Sequence, residues 1–224
     1  MLMYLVKHSR PDIANATREL TKVLDGATEA HWKAMMRIIK YVLDTRSYSL
    51  RLKPCVTNGN VTLRGISDSE FAGDRETRKS VYGYIITYYC GAPIYWKYKS
   101  GNSVTLSSTE AEYYASSETA KELLFIYNLI SSMEKNLLLP IILNVDNTGA
   151  IYLANNYAAG QRTKHIDIRV HYVREYIHDG IIKVEFVRTE NNDADILTKN
   201  TTEEIFKTHS EKNVVEIQKF KITK

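Results

Sequence analysis

Four acids in this chain have surroundings that suit them to more than solubility: Asp68, Glu112, Asp146 and Asp195. Asp68 closes the stretch VTLRGISD (61–68) and Asp146 closes PIILNVD (140–146). Each is therefore expected at the end of a strand, held by a rigid element and facing the cleft where ligands gather in open sheets. Taken singly, each is equally an Asp that opens a turn. Glu112 lies about one turn inside SSTEAEYYASSETAKELLFIYNLISSM (107–133), beside Ala111 and Ala115. An acid on so small and apolar a face needs a partner, and a metal ion is one. Its neighbour Glu110 has a local task, because Ser107 and Glu110 fit the S-x-x-E capping box. Asp195, in NDADILTK, sits in the first turns of a further helix, with Asp193 as its candidate cap.

One chemistry uses all four. Hydrolysis of a phosphodiester needs a deprotonated water and neutralisation of the charge on the entering and leaving oxygens, and two hard cations about 4 Å apart do both. Mg²⁺ takes oxygen ligands and keeps several waters, so three or four carboxylates suffice. Without cations, each close carboxylate pair costs up to about 4 kcal/mol at an effective dielectric near 20. The free protein is expected to bind metal weakly, and a phosphate to tighten that binding.

The elements that must position these acids are readable from periodicity. Residues 10–24 and 28–44 form two amphipathic helices, the first with Pro11 in its opening turn and the second capped by Thr28. Tyr48 to Leu52 alternates like a strand, and PCVTNGN (54–60) is a turn-rich boundary. Three strand-like stretches follow at 61–68, 80–89 and 93–98, then the long helix 107–133 and an apolar strand at 140–146. Helices are expected at 148–156 and 165–177, a strand at 181–187, a helix opening at 193–200, and one more in the tail. Three antiparallel strands followed by strand–helix alternation imply an α/β fold with a mixed five-stranded sheet flanked by helices, preceded by a helical segment. Trp32 and Trp96 are expected in the core, and Tyr82, Tyr84 and Tyr88 are expected to pack along one strand face.

The chain has 224 residues, 44% hydrophobic and 25% charged, which is globular composition and excludes extensive disorder. Its net charge of +4 is unevenly spread: residues 1–53 hold ten Lys/Arg against five Asp/Glu. A basic leading segment beside a neutral remainder suits a polyanionic partner, and equally a solvated basic face. Cys55 and Cys90 form no CxxC pair and fit a reducing compartment. With no apolar run long enough to span a bilayer and no signal-peptide pattern, an intracellular, non-membrane protein is expected. His165, His171 and His178 lack the Cys or further His a zinc site needs. DNTG at 146–149 is not the D-[ST]-G of aspartic proteases, and there is neither a P-loop nor GxSxG.

GISDSEFAGD, RKSVYGYI, SVTLSSTEAEYYASSETAKE, VDNTGAI, RTKHIDIRVHYVRE and NDADILTK, in this order through 61–200, together resemble the RNase H domain of copia-type long-terminal-repeat retrotransposon polyproteins. Upstream, LMYLVKHSRPDIANATREL and HWKAMMRIIKYVLDT resemble the segment joining the reverse transcriptase to that domain. The resemblance implies three parts: a helical connection at 1–53, an RNase H domain at 61–200, and a C-terminal helix and tail at 201–224. It implies two Mg²⁺ ions, replaceable by Mn²⁺. Asp68 would bridge both ions, Glu112 and Asp146 would complete the leaving-group metal, and Asp195 would hold the metal that activates water. The substrate would be the RNA strand of an RNA–DNA hybrid, read by shape and 2′-hydroxyls. Arg78, Lys79 and Ser80, before the second antiparallel strand, and Asn147, beside Asp146, would touch its backbone. A reverse transcriptase domain or polyprotein remainder would be the partner, with no small-molecule cofactor. Location would be the cytoplasm, a retroelement particle or the nucleus.

Two departures weaken self-sufficiency. Cellular type 1 enzymes usually carry a histidine in the loop before the last acid, and RTENNDAD (188–195) has none. Between 156 and 165 only Arg162 and Lys164 are basic, so hybrid grip is expected to depend on the N-terminal helices or on a polymerase. The chain has no Asp-Asp pair, so a polymerase site is not expected in it; a fragment, a processed piece and a separate derived gene all remain open. Two other classes stay in play. One is a catalytically silent descendant that binds nucleic acid or protein. The other is an exonuclease or transposase on the same architecture, for which Asp68-Ser69-Glu70 offers the D-x-E spacing.

Overall fold

A computed structural model describes residues 1–52, 61–74, 76–89, 91–102, 104–133, 137–156 and 173–217. Outside them lie the turn-rich stretch 54–60, both cysteines, Arg162, Lys164, His165, His171, most of the helix expected at 165–177, and the tail beyond 217.

The described chain runs α1 (Leu2–His8), a 3-10 turn (Pro11–Ile13), α2 (Ala14–Thr21), a second 3-10 turn (Leu24–Gly26), α3 (Glu29–Asp44), β1 (Tyr48–Leu50), β2 (Leu63–Glu70), β3 (Val81–Tyr88), β4 (Ala92–Ser100), α4 (Ser108–Met133), β5 (Ile141–Val145), α5 (Thr148–Asn155), α6 (Val173–His178), β6 (Ile182–Phe186), a third 3-10 turn (Thr189–Asn191), α7 (Asp195–Thr198), α8 (Glu203–Asn213) and β7 (Val214–Glu216). The five central strands lie in the order β4-β3-β2-β5-β6. The β2–β3 and β3–β4 pairs are antiparallel, and β2–β5 and β5–β6 are parallel. This is the mixed sheet expected from the sequence. No described helix is long and apolar enough to cross a membrane.

The sheet is buried on both faces, and β3 shows how. Successive strand side chains point to opposite faces. Ile86 joins Leu63, Leu123, Leu143, Val145 and Ile182 under α4. Ile85 joins Val6, Ile13, Ala14, Ile38, Ile196 and Leu197 on the other side. The leading helices therefore pack against the sheet face opposite α4, together with α7. Each fully buried aliphatic side chain contributes about 1.5–3 kcal/mol to this assembly.

Several local readings change. The single helix expected over 10–24 is a 3-10 turn followed by the shorter α2. The buried Asp12 carboxylate is held by Arg10 and by the Tyr41 hydroxyl, which fixes 11–13 as a tight turn. β1 pairs antiparallel with β7, Leu50 opposite Val214, a contact across the chain that local pattern does not foretell. Trp32 is 60% exposed and not a core residue, because the packed stripe of α3 runs through Met35, Ile38 and Val42 instead. Trp96 is partly buried against that cluster and donates Nε1–H to the Val6 carbonyl at 2.6 Å. Thr28 caps α3 as expected, in a reciprocal box with His31.

Candidate active site

β2 runs past the expected strand end at Asp68 and continues to Glu70. On its β3 side the ladder persists, with Asp68 opposite Gly83 and Glu70 opposite Val81. On its β5 side the pairing stops at Ile66 opposite Asn144. Beyond that point β2 and β5 separate, and the carboxylates collect in the opening. Asp68 is inside a strand on one edge and past the end of pairing on the other. Asp146 directly follows β5 and is half-buried.

Helices reach the opening from both faces, and two glycines let them come close. A Cβ on Gly65 would stand 2.6 Å from Leu123 Cδ1 and 3.0 Å from Thr119 Cγ2, so its absence seats α4 on β2. A Cβ on Gly83 would stand 2.6 Å from Thr198 Cγ2 and 3.0 Å from Leu197 Cβ, so its absence seats α7 on the other face. α4 brings Glu112, and α7 brings Asp195 and Thr198.

The two glutamates divide as their spacing suggested. Glu110 donates its backbone N–H to Ser107 Oγ at 3.1 Å, and its Oε2 accepts from the Leu106 N–H at 2.7 Å. The return contact of the cap thus falls one residue before Ser107. Glu112 points inward: its Oε1 accepts from the Ser69 N–H at 2.9 Å and the Ser69 hydroxyl at 2.8 Å. Its other oxygen, Oε2, is buried with no hydrogen-bond partner. One ligand oxygen from each of Asp68, Glu112 and Asp146 lies within 4.8 Å of the others. An orphaned buried oxygen in a set of three hard oxygen donors fits a divalent cation.

Asp195 lies beside Asp68, its side chain in contact with it. Lys199 bonds both, with Nζ 2.7 Å from Asp68 Oδ1 and 3.2 Å from Asp195 Oδ1. The Thr198 hydroxyl donates to Asp68 Oδ2. Asp146 Oδ2 accepts from the Thr189 hydroxyl at 3.1 Å.

Burial, then repulsion from Asp195, pushes the Asp68 carboxyl up to about 8, although Lys199 and Thr198 pull it down. Burial, then the charges of Asp68 and Asp146, likewise pushes Glu112 up to about 8, against the hydrogen bonds from Ser69. Burial also raises Asp195. Burial pulls Lys199 down, but Asp68 and Asp195 outweigh it and hold the ammonium above its usual value. Carboxyls raised together at one site mark a cluster whose negative charge Lys199 only partly offsets.

The remaining expected contacts are placed as follows. Arg78 is exposed, with a left-handed backbone at φ 56°, and its N–H donates to the Asp74 carbonyl at 2.8 Å. Lys79 is half-buried. Ser80 is fully buried, accepting from the Ala72 N–H at 3.0 Å and sharing a hydrogen bond with Thr105 at 2.7 Å. Asn147 caps α5, its side chain accepting from the Ala150 N–H at 2.9 Å.

Four residues escaped the sequence reading. Lys199 is one. Asn192 is another: its amide donates to the Ser67 carbonyl at 3.0 Å and accepts from the Ala194 N–H at 3.1 Å, fastening the turn before α7 to β2. Asp193, the expected cap, instead pairs with the buried His209 and with Lys212, each at 2.7 Å. Asn15 and Arg18 of α2 bind the other end of α7: Asn15 Nδ2 donates to the Lys199 carbonyl at 2.9 Å and Arg18 to the Thr198 carbonyl at 3.0 Å. The only local signal was the i, i+4 spacing of Asp195 and Lys199.

No family model matches the sequence. A Pol polyprotein from transposon TNT 1-94 of Nicotiana tabacum is 37% identical over 198 residues, 88% of this chain and 14% of the polyprotein. The Pol polyprotein from transposon RE2 of Arabidopsis thaliana is 35% identical over 212 residues, 94% of this chain and again 14% of the polyprotein. The chain thus spans about one seventh of the length of these relatives. A short protein also matches: secreted RxLR effector protein 161 of Plasmopara viticola, 36% identical over 125 residues, 56% of this chain and 85% of the effector. Among solved structures, the N-terminal RNase H domain of Rv2228c from Mycobacterium tuberculosis is similar over 68% of this chain and 98% of that one, with a TM-score of 0.42 and 12% identity.

Proposed function

We propose that the chain, homologous over most of its length to a segment of copia-type Pol polyproteins of transposons, carries their ribonuclease H step, internal hydrolysis of the RNA strand of an RNA–DNA hybrid with Mg²⁺ or Mn²⁺. The observation that carries this reading is the partnerless, buried Oε2 of Glu112 in a compact set with Asp68 and Asp146. Helices and strands of the rigid sheet hold the set, which suits positioned chemistry better than a flexible acidic loop.

Asp68, Glu112 and Asp146 would hold the metal, with Asp195 beside Asp68. The chemistry supplied at these residues by a divalent cation would be a more acidic bound water and neutralised charge on the departing oxygen. The protein's own part is orientation. Ser69 fixes one oxygen of Glu112 so that the other faces the opening. Thr198 and Lys199 orient Asp68. Thr189 steadies Asp146. Arg78 on the loop before β3, and Arg37 and Lys40 on α3, are exposed cations available to phosphates. A reverse transcriptase domain of the same polyprotein would supply further grip. The three-part division at 53, 61 and 200 belongs to the same proposal.

The test is direct. Purified protein with Mg²⁺ cleaves the RNA strand of a hybrid and leaves double-stranded DNA intact, and Asp68→Asn abolishes the cleavage while keeping the native circular dichroism. Cleavage that survives the substitution contradicts the assignment. The match to most of a short effector favours one second reading, a descendant that keeps the fold and binds nucleic acid or protein without turnover. Salt-sensitive hybrid binding with no cleavage in any divalent metal would select it.

A further inference from the structure

Among the described residues, Asp68, Glu112 and Asp146 bring three ligand oxygens within 4.8 Å of one another. Asp195 touches Asp68, and the Lys199 ammonium bonds both carboxylates, at 2.7 and 3.2 Å. Its placement is built. The Lys199 N–H donates to the Asp195 carbonyl at 2.9 Å, and its own carbonyl accepts from Asn15 at 2.9 Å. The backbone is thus pinned on both sides of the Cα, and the i, i+4 step from Asp195 lays the side chain back across the carboxylates. Asp68, fully enclosed, gives its two oxygens to Lys199 and Thr198. The lysine itself keeps about a third of its side-chain surface open to solvent.

We propose that the nucleic-acid-free protein binds one divalent cation, at Asp68, Glu112 and Asp146, and that the Lys199 ammonium stands in for a second between Asp68 and Asp195. This rests on the metal site proposed above and departs from the two ions expected from the resemblance. The reason is charge and space. An ammonium and a second dication cannot share the interval between two carboxylates without strong mutual repulsion. A second ion enters only when Lys199 leaves, and a phosphate oxygen is the group that draws it away.

The experiment is a count of bound Mn²⁺ on the full chain without nucleic acid, by electron paramagnetic resonance of the free ion. Wild type binds one ion, and Glu112→Gln weakens that site at least tenfold. Lys199→Met binds two ions. Lys199→Arg, which keeps the charge, binds one, so the proposal stays testable even if the methionine variant fails to fold. Two ions of similar affinity on wild type overturn it, as does a count of one on a folded Lys199→Met or two on Lys199→Arg. No ion bound to wild type at millimolar Mn²⁺ overturns it together with the metal site. Because no hybrid is present, a failure of cleavage leaves this count unaffected, and a count of two leaves the ribonuclease reading standing.

Discussion

The Asn15 side-chain amide donates to the Lys199 carbonyl at 2.9 Å, joining positions 184 residues apart. With Arg18 on the Thr198 carbonyl, it ties α2 to the helix that carries Asp195. The leading segment is therefore part of the site's support and not merely a basic appendage. Asn15→Ala leaves a half-buried carbonyl short of its donor and is expected to cost about 1 kcal/mol in urea unfolding. It is also expected to lower hybrid kcat more than it raises KM, because α7 loosens while the substrate surface is intact. Asn15→Asp, which keeps the shape but not the donor, should not rescue it. An unchanged kcat in a folded Asn15→Ala protein contradicts the tie.

Gly83 and Gly65 separate packing from positioning. Gly83→Ala drives a methyl into Thr198 and Leu197, and Gly65→Ala into Leu123 and Thr119. Both are expected to destabilise by about 1–3 kcal/mol through overpacking. Only Gly83→Ala displaces α7, so it should lose more cleavage activity for the same loss of melting temperature. Equal activity at matched stability would argue against α7 as a positioned element.

The pH dependence has a definite sign. Asp68 and Glu112 are both pushed up to about 8 in the folded chain, above the ordinary 3.8 and 4.5 of such carboxyls. The folded state thus holds protons that the unfolded state releases, and the stability they confer is present below about pH 4 and lost as pH rises towards 8. In EDTA, Asp68→Asn should gain stability relative to wild type between pH 5 and pH 9. Added Mg²⁺ should stabilise wild type more at pH 8 than at pH 6, since binding displaces protons. A wild-type-to-variant difference that is flat with pH in EDTA would contradict the enclosed carboxyl cluster.

Much of this was legible in local pattern. The β-rich stretches at 61–68, 80–89 and 93–98, the Ser107–Glu110 cap and the small residues beside Glu112 were enough to foresee a mixed sheet and to separate the structural glutamate from the inward one. What local pattern missed is long-range. Lys199, Asn192, Asn15 and Arg18 act on partners fixed only when α7 closes on β2 and β3. The extension of β2 past Asp68 was hidden because its end differs on its two edges. Trp32 misled because hydrophobicity alone does not say which face of α3 is covered.

The central claim, that Glu112 is a metal-binding carboxylate while Glu110 two positions earlier is a cap, is tested most directly by comparing hybrid cleavage in Mg²⁺ for Glu112→Gln and Glu110→Gln. Glu112→Gln should cut slower by more than about 100-fold, beyond the 10–100-fold typical of residues that only support a ligand, while Glu110→Gln stays within a few-fold of wild type. Cleavage by Glu112→Gln at the wild-type rate, or equal losses in the two folded variants, would contradict the account.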